Sequence, residues 1–140
     1  MYEHYTTLRV RYAETDQLDL VDYGNYAQSF EVGRAECIRT LGFTYKKMEE
    51  MGIRMPVVQM EAKFLRPAHY DDLITIKTVL KELPSKHEIH FHHEVFNEKK
   101  KLITTGKVSL FFIDIKTGKW ISMPTDLKNT LSAFFVNGVD

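Results

Sequence analysis

The chain has 140 residues, 44% apolar and 27% charged, which suits one compact domain with a real hydrophobic core and is too short for two. Its 19 basic and 19 acidic residues cancel, so no overall field draws it to nucleic acid or an anionic membrane, and an anionic ligand needs a local patch. The one cysteine, Cys37, excludes an internal disulfide and fits a reducing cytoplasm; neither a secretory signal nor the ~20 apolar residues of a membrane span is found.

In chain order, Thr6–Ala13 alternates as a strand, with Leu8, Val10 and Tyr12 on one face and Arg9 and Arg11 on the other. The segment Ala13–Tyr23 (AETDQLDLVDY) then carries Asp16 to the start of a helix. From Gly24 to about Leu41, residues Tyr26, Phe30, Gly33, Cys37 and Leu41 recur at three- and four-residue steps, one helical face, and Gly42 stands where a left-handed C-cap belongs. Glu31, Arg34, Glu36 and Arg39 on the same helix exclude burial all round. Tyr45–Met51 reads as a short second helix ended by Gly52.

The remainder is mostly β. Val58, Met60, Ala62 and Phe64 alternate with polar residues until Pro67. Leu73–Leu83, Lys86–Phe96 and Leu102–Ile115 follow as long strands, separated by turns at Pro84-Ser85 and Asn97–Lys100. Thr117-Gly118 leads to a short Trp120–Ser122 segment, and Asp126–Phe134 forms a last helix with Thr125 as cap. One apolar helix ahead of a run of antiparallel strands gives an α+β arrangement, a sheet wrapped around the helix, as a single domain over residues 1–140. The edges of such a sheet are covered when two copies pair, so a dimer is expected.

Chemistry concentrates at Asp16. An acid at a strand–helix junction lies beside the N–H groups of the first helical turn, which carry the positive end of the helix dipole. A carboxylate next to donors for a developing oxyanion is a layout for acyl transfer, although Asp is also a favoured cap and turn former. The triplet Asp16, Asp19 and Asp22 lacks the pattern of a calcium loop. His87, His90, His92 and His93 (HEIHFHH) read as the outer face of a half-buried strand; His90 and His92 could share a zinc only if a neighbouring strand supplied a third ligand, so no metal is expected. Cys37 lies on the apolar stripe and reads as core. Nucleotide-binding loops and a GxSxG elbow are missing from the sequence.

The stretch RVRYAETDQLDLVDYGNYAQSFEVGRAECIRTLGF resembles the signature of hotdog-fold acyl-CoA thioesterases of the 4-hydroxybenzoyl-CoA thioesterase type. The match is carried by Val10, Tyr12, Glu14, Thr15, Asp16, Val21, Tyr23, Tyr26, Glu31 and Arg34. Arg66-Pro67-Ala68 with Asp71, Thr105-Gly106 and the Lys119–Pro124 segment extend it over about residues 5 to 125. Two positions depart from the pattern: Asp19 stands where glycine is usual, and Asp22 where an aromatic is common.

The resemblance implies a hotdog fold, a five- or six-stranded antiparallel sheet around the Gly24–Leu41 helix, assembled as a homodimer and further as a dimer of dimers. It implies active sites at the dimer interface and hydrolysis of an acyl-CoA or acyl-carrier-protein thioester. Coenzyme A then enters only as part of the substrate, and no cofactor is required. Asp16 would attack the thioester or act as general base on water, with the backbone N–H of Tyr23 and that of Gly24 polarising the carbonyl. Asn25 and Tyr26 would shape the acyl pocket, Tyr26 being equally well explained as core. Lys63, Arg66 and the Lys99–Lys101 turn are candidates for the phosphates of coenzyme A, and Glu31 and Arg34, spaced i, i+3, would pair or brace the interface. A non-catalytic acyl-thioester binder on the same scaffold is the rival from another class, and Asp19 and Asp22 favour it. A dehydratase would need a His near the helix, and none stands between His4 and His69.

Overall fold

The computed structural model describes residues 1–16, 18, 20–21, 23–84 and 86–138, the last three by backbone alone. Asp19, Asp22 and Ser85 of the expected Pro84-Ser85 turn lie outside the described residues. The first strand, β1 (Tyr2–Arg9), alternates half-buried and exposed side chains along its length. It ends four residues before the expected Ala13 because Val10 is tied instead to the loop ahead of a later strand, donating to the Asp72 carbonyl at 2.8 Å and accepting from the Asp71 N–H at 2.9 Å. Tyr12–Glu14 then closes a 3₁₀ turn in which the Glu14 carboxylate accepts from the Arg11 N–H at 2.8 Å. A side chain that takes a backbone N–H in this way competes with the sheet ladder. Tyr12 is accordingly 75% exposed rather than sharing the inner face with Leu8 and Val10.

A second 3₁₀ turn, Tyr23–Asn25, leads into α1 (Tyr26–Thr40), and Gly42 at φ +91° takes the left-handed position after it. Next come α2 (Tyr45–Glu50), capped by the Thr44 hydroxyl, β2 (Ile53–Arg54) and β3 (Val57–Phe64). The long strands β4 (Leu73–Leu80), β5 (Glu88–Phe96) and β6 (Leu102–Phe111) follow. The expected Leu102–Ile115 strand is broken at Phe112, which is fully buried and donates its N–H to the His87 carbonyl; only β7 (Ile113–Asp114) continues, paired with β2. The Trp120–Ser122 segment makes one isolated bridge, Ile113 to Trp120. In α3 (Thr125–Ser132) Pro124 holds the cap position that the sequence assigned to Thr125, and no side chain caps the helix.

β1, β4, β5, β6 and β3 form, in that order, one fully antiparallel sheet with α1 against its inner face. Two glycines set the distance between helix and sheet. A Cβ on Gly33 would lie 2.7 Å from the Thr78 hydroxyl, and one on Gly106 would lie 2.5 Å from the Phe30 ring. Phe30, Ile38, Phe91 and Ile76 fill the space between. β3 is an edge strand, and the helix, which packs mainly over β1, β4 and β5, covers little of its inner face beyond the Tyr23 and Tyr26 rings on Phe64. Along β3, Val57, Val58, Met60 and Phe64 are each more than 40% exposed.

The histidine-rich strand splits between the two faces. His90 and His92 point outward, His90 to the Ser109 hydroxyl at 2.7 Å. His93, expected on the outer face, points in and is 1% exposed, because the period-two alternation that puts His92 outside turns its neighbour to the core. Among the described residues no group of three His, Cys, Asp or Glu side chains is placed to hold a metal ion.

Candidate active site

Asp16 lies in the loop between the two 3₁₀ turns, and three sets of backbone bonds hold that loop. Its own N–H donates to the Leu20 carbonyl at 2.8 Å, Val21 donates to the Ala68 carbonyl at 2.8 Å, and Leu20 bridges His69. The Arg66-Pro67-Ala68 motif and the Asp16 loop are thus two sides of one structure. Within it Oδ1 of Asp16 accepts from the N–H groups of Leu18 at 2.8 Å and Leu20 at 3.2 Å. Oδ2 has no protein hydrogen-bond partner among the described residues, and the side chain is exposed. The carboxylate is therefore oriented through one oxygen and open through the other, an arrangement for a nucleophile or a general base.

Asp16 lines a cleft of about 450 Å³ whose walls are largely apolar: Leu18, Leu20 and Val21 on the loop side, Phe64, Leu65 and Pro67 on the strand side. Tyr23 and Tyr26 come from the helix start and Arg66 from the rim. Tyr23 stacks on Phe64 with ring centres 4.4 Å apart, and Tyr26 leans on the same ring at 5.5 Å. Tyr26 is 3% exposed, and burial pushes its phenol up, against the lowering effect of the Thr104 hydroxyl beside it. It forms both the floor of the cleft and part of the core, so the two readings of its role describe one position.

The expected site residues do not all converge. Asp16, Tyr23, Tyr26 and Arg66 share the cleft. Gly24 lies in the same turn without lining it, and Asn25 ties the helix start to the preceding turn by donating from Nδ2 to the Glu14 carbonyl at 2.9 Å. Asn25 is therefore a brace rather than a pocket wall. Lys63 is on the wrong side of the sheet: paired with Thr105, next to the Ala62–Gly106 pair that faces α1, it extends from the outer face, away from Asp16. The Lys99–Lys101 turn, by contrast, lies close to Arg66, whose Nη1 donates to the Leu102 carbonyl at 2.7 Å. Asn97 shapes that turn by accepting from the N–H groups of Lys99 and Lys101. Arg66 at the cleft and the exposed Lys99–Lys101 turn are thus linked through Leu102.

Glu31 and Arg34 do not pair. Arg34 is buried and donates from Nε to the Tyr45 hydroxyl at 3.3 Å. The sequence did hold the signal for its burial, since Arg34 falls four residues after Phe30 and four before Ile38 on the inner stripe. Phe64, Leu65 and Pro67 were missed as site residues. Phe64 ends an alternating strand with its ring on the inner face, directly before the Arg66-Pro67-Ala68 motif, which is the pattern that would have found it.

Residues 10–131 match the thioesterase-like superfamily. The chain is 32% identical over 112 residues to a Bacillus subtilis (strain 168) protein, YneP, provisionally named an acyl-CoA thioesterase, covering 80% of each. It is 26% identical over 122 residues to the acyl-CoA thioesterase YbgC of Haemophilus influenzae (strain ATCC 51907 / DSM 11121 / KW20 / Rd), covering 86% of this chain and 88% of that one. The crystal structure of a DHNA-CoA thioesterase from Staphylococcus aureus superposes with a TM-score of 0.92 at 33% identity, over 100% of this chain and 97% of the other.

Proposed function

Because the chain belongs to the thioesterase-like superfamily, we propose that it hydrolyses an acyl-CoA thioester at the Asp16 cleft, with Asp16 as the reacting carboxylate. The observation that carries this reading is the half-held carboxylate: two backbone N–H groups fix Oδ1, and Oδ2 opens beside the start of α1. In direct attack, Oδ2 forms a bond to the thioester carbon and the thiolate of coenzyme A leaves. Water then cleaves the mixed anhydride, restores the carboxylate and delivers a proton to the thiolate. In the base-catalysed course the same oxygen takes the proton of an attacking water and returns it to the leaving sulfur. Both courses place the carbonyl oxygen near the helix start, where the Tyr23 N–H serves as polarising donor.

Substrate fits the cleft at both ends. The Tyr23, Tyr26 and Phe64 rings offer an apolar wall for the acyl group, and Arg66 with the Lys99–Lys101 turn offers cations for the phosphates of coenzyme A. Assembly through β3 follows from the exposed apolar edge, and it brings a second copy alongside each cleft. One cysteine, and among the described residues no helix long and apolar enough to cross a membrane, agree with action in the cytoplasm.

The decisive variant is Asp16→Asn rather than Asp16→Ala, because an amide oxygen still accepts from Leu18 and Leu20 and preserves the loop. In a free-thiol assay over an acyl-CoA panel, Asp16→Asn loses at least about a hundredfold in kcat with an unchanged melting temperature. Full activity in Asp16→Asn removes Asp16 from the chemistry. Tight acyl-CoA binding by the wild type without thiol release on any substrate makes the protein a binder instead.

A further inference from the structure

A second cleft, of about 250 Å³, opens on the α1 side of the sheet between α1, α2 and β2. Arg34 reaches it from the middle of α1 and is 6% exposed, yet no carboxylate lies within ion-pair distance of it among the described residues. Its Nε is used on Tyr45, and its two terminal NH₂ groups have no protein acceptor among the described residues. Tyr45 accepts that bond, which leaves its own O–H to donate, and burial pushes the phenol up so that it keeps its proton. Glu31, Glu49 and Arg54 are exposed at the rim, so the inner end of the cleft presents donors only. The stem of Arg34 is buried, but its NH₂ groups are not among the sealed, unpartnered atoms of the described residues; they open onto the cleft, where they bind water or an oxygen acceptor that displaces it.

The position of this cleft says what that acceptor is. Arg54 and Met55, which line it, stand just before Pro56 and the Val57 start of β3, whereas the Asp16 cleft lies against Phe64 at its end. Two β3 strands related by a two-fold axis run antiparallel, so the Val57 end of one copy meets the Phe64 end of the other. Both clefts are on the helix side of the sheet, and across the pair each Asp16 cleft comes to face the Arg34 cleft of the other copy. We propose that Arg34 and Tyr45 of one subunit form the far wall of the acyl pocket served by Asp16 of the other, and that they select acyl groups ending in an oxygen acceptor over plain alkyl chains. This rests on the two-subunit thioesterase reading above and adds to it a substrate class and two specificity-determining residues.

The test uses matched linear acyl-CoA thioesters of four to ten carbons, ending in methyl, hydroxyl or carboxylate. At the length that spans the two clefts, the oxygen-ended thioesters have kcat/KM about tenfold above the methyl-ended one, with the difference mainly in KM. Arg34→Met and Tyr45→Phe each bring that ratio down toward one; Tyr45→Phe removes a single oxygen and guards against a folding failure in Arg34→Met. A mixed dimer of one Asp16→Asn chain and one Arg34→Met chain separates the two possible arrangements. If the residues act across the interface, its one working site is intact and keeps the wild-type ratio; if they act within a chain, the ratio is lost. A preference for methyl-ended substrates at every length, a ratio untouched by both variants, or a lost ratio in the mixed dimer overturns the proposal while leaving the thioesterase reading in place. No hydrolysis of any thioester by the wild type overturns that reading and this inference together.

Discussion

His93 is the side chain whose chemistry departs furthest from its surroundings in the sequence. Its ring lies flat on Phe30, with centres 4.8 Å apart and planes 5° from parallel, and Nδ1 is 3.1 Å from the Thr78 hydroxyl. Nε2 is buried with no hydrogen-bond partner among the described residues, so a proton added there would sit in an apolar core. Burial first, and then the charges of Arg34 and His92, push the imidazole down to about 3 from its ordinary 6.5. Between those two values the unfolded chain holds a proton that the folded chain does not, so stability is lost as pH falls from about 6.5 and the loss levels off below about 3. Urea unfolding at pH 7 and pH 5 reads this directly: the wild type loses about 2 kcal/mol more over that interval than His93→Phe, which keeps the ring stack and cannot titrate. An equal loss in both proteins assigns the acid sensitivity to other groups. Asp16 shows the same coupling of chemistry to structure at the surface. Its Asx-type bonds are what a turn former makes, and they are also what aims the free oxygen, so the structural and catalytic readings of this residue describe one geometry.

At the scale of elements, the Thr105-Gly106 pair explains itself through the packing of α1. With a Cβ only 2.5 Å from the Phe30 ring, Gly106→Ala forces either the ring or the helix to move. Overpacking of that kind costs about 1–3 kcal/mol, measurable as a lower urea midpoint with an unchanged slope. A midpoint equal to that of the wild type would mean that α1 slides freely on the sheet. The sequence was legible where one signal governed a whole element: apolar spacing gave the α1 stripe, a C-cap glycine its Gly42 terminus, and turn signals the long strands β4 and β5. Even so, β4 stops at Leu80 rather than Leu83, and β5 starts at Glu88 rather than Lys86. It misled where a local bond overrode the period. The Glu14 side chain folds Arg11–Glu14 into a turn, Phe112 turns inward and cuts the last strand, and Pro124 takes the cap from Thr125. The site divides in the same way. Asp16, Tyr23 and Tyr26 follow from their place near the helix start. Lys63 was misplaced because a composition of nearby cations does not say which face of the sheet each one leaves from, and only the pairing with β6 fixes that. Arg34 was read from its i, i+3 spacing as a partner for Glu31 or a brace at the interface, whereas its four-residue steps from Phe30 and to Ile38 put it on the buried stripe.

For the whole molecule, the decisive feature is an asymmetry between the two edges of the sheet. β1 lies under α1, while β3 carries Val58 at 45% and Met60 at 46% exposure with no element beyond it. An open edge strand of eight residues with exposed valine and methionine side chains is a template for pairing unless a partner covers it or charge guards it. Here the exposed residues are apolar on both faces near its start, which favours the partner. The proposed assembly would also serve the site, because the Asp16 cleft lies against Phe64 at the end of the same strand. Placing like charges at the edge separates assembly from folding. Val58→Lys with Met60→Lys leaves the core of β4, β5 and β6 untouched and replaces two exposed apolar side chains of the edge with charges that pairing would have to strip of water. The expected outcome is a protein with the far-ultraviolet circular dichroism of the wild type that runs as a monomer in light scattering at micromolar concentration. Its thioesterase activity falls more than tenfold although Asp16, Tyr23 and Arg66 are all in place. A fully active monomer would show that one copy is the whole enzyme; a dimer that survives both lysines would move the interface to another surface.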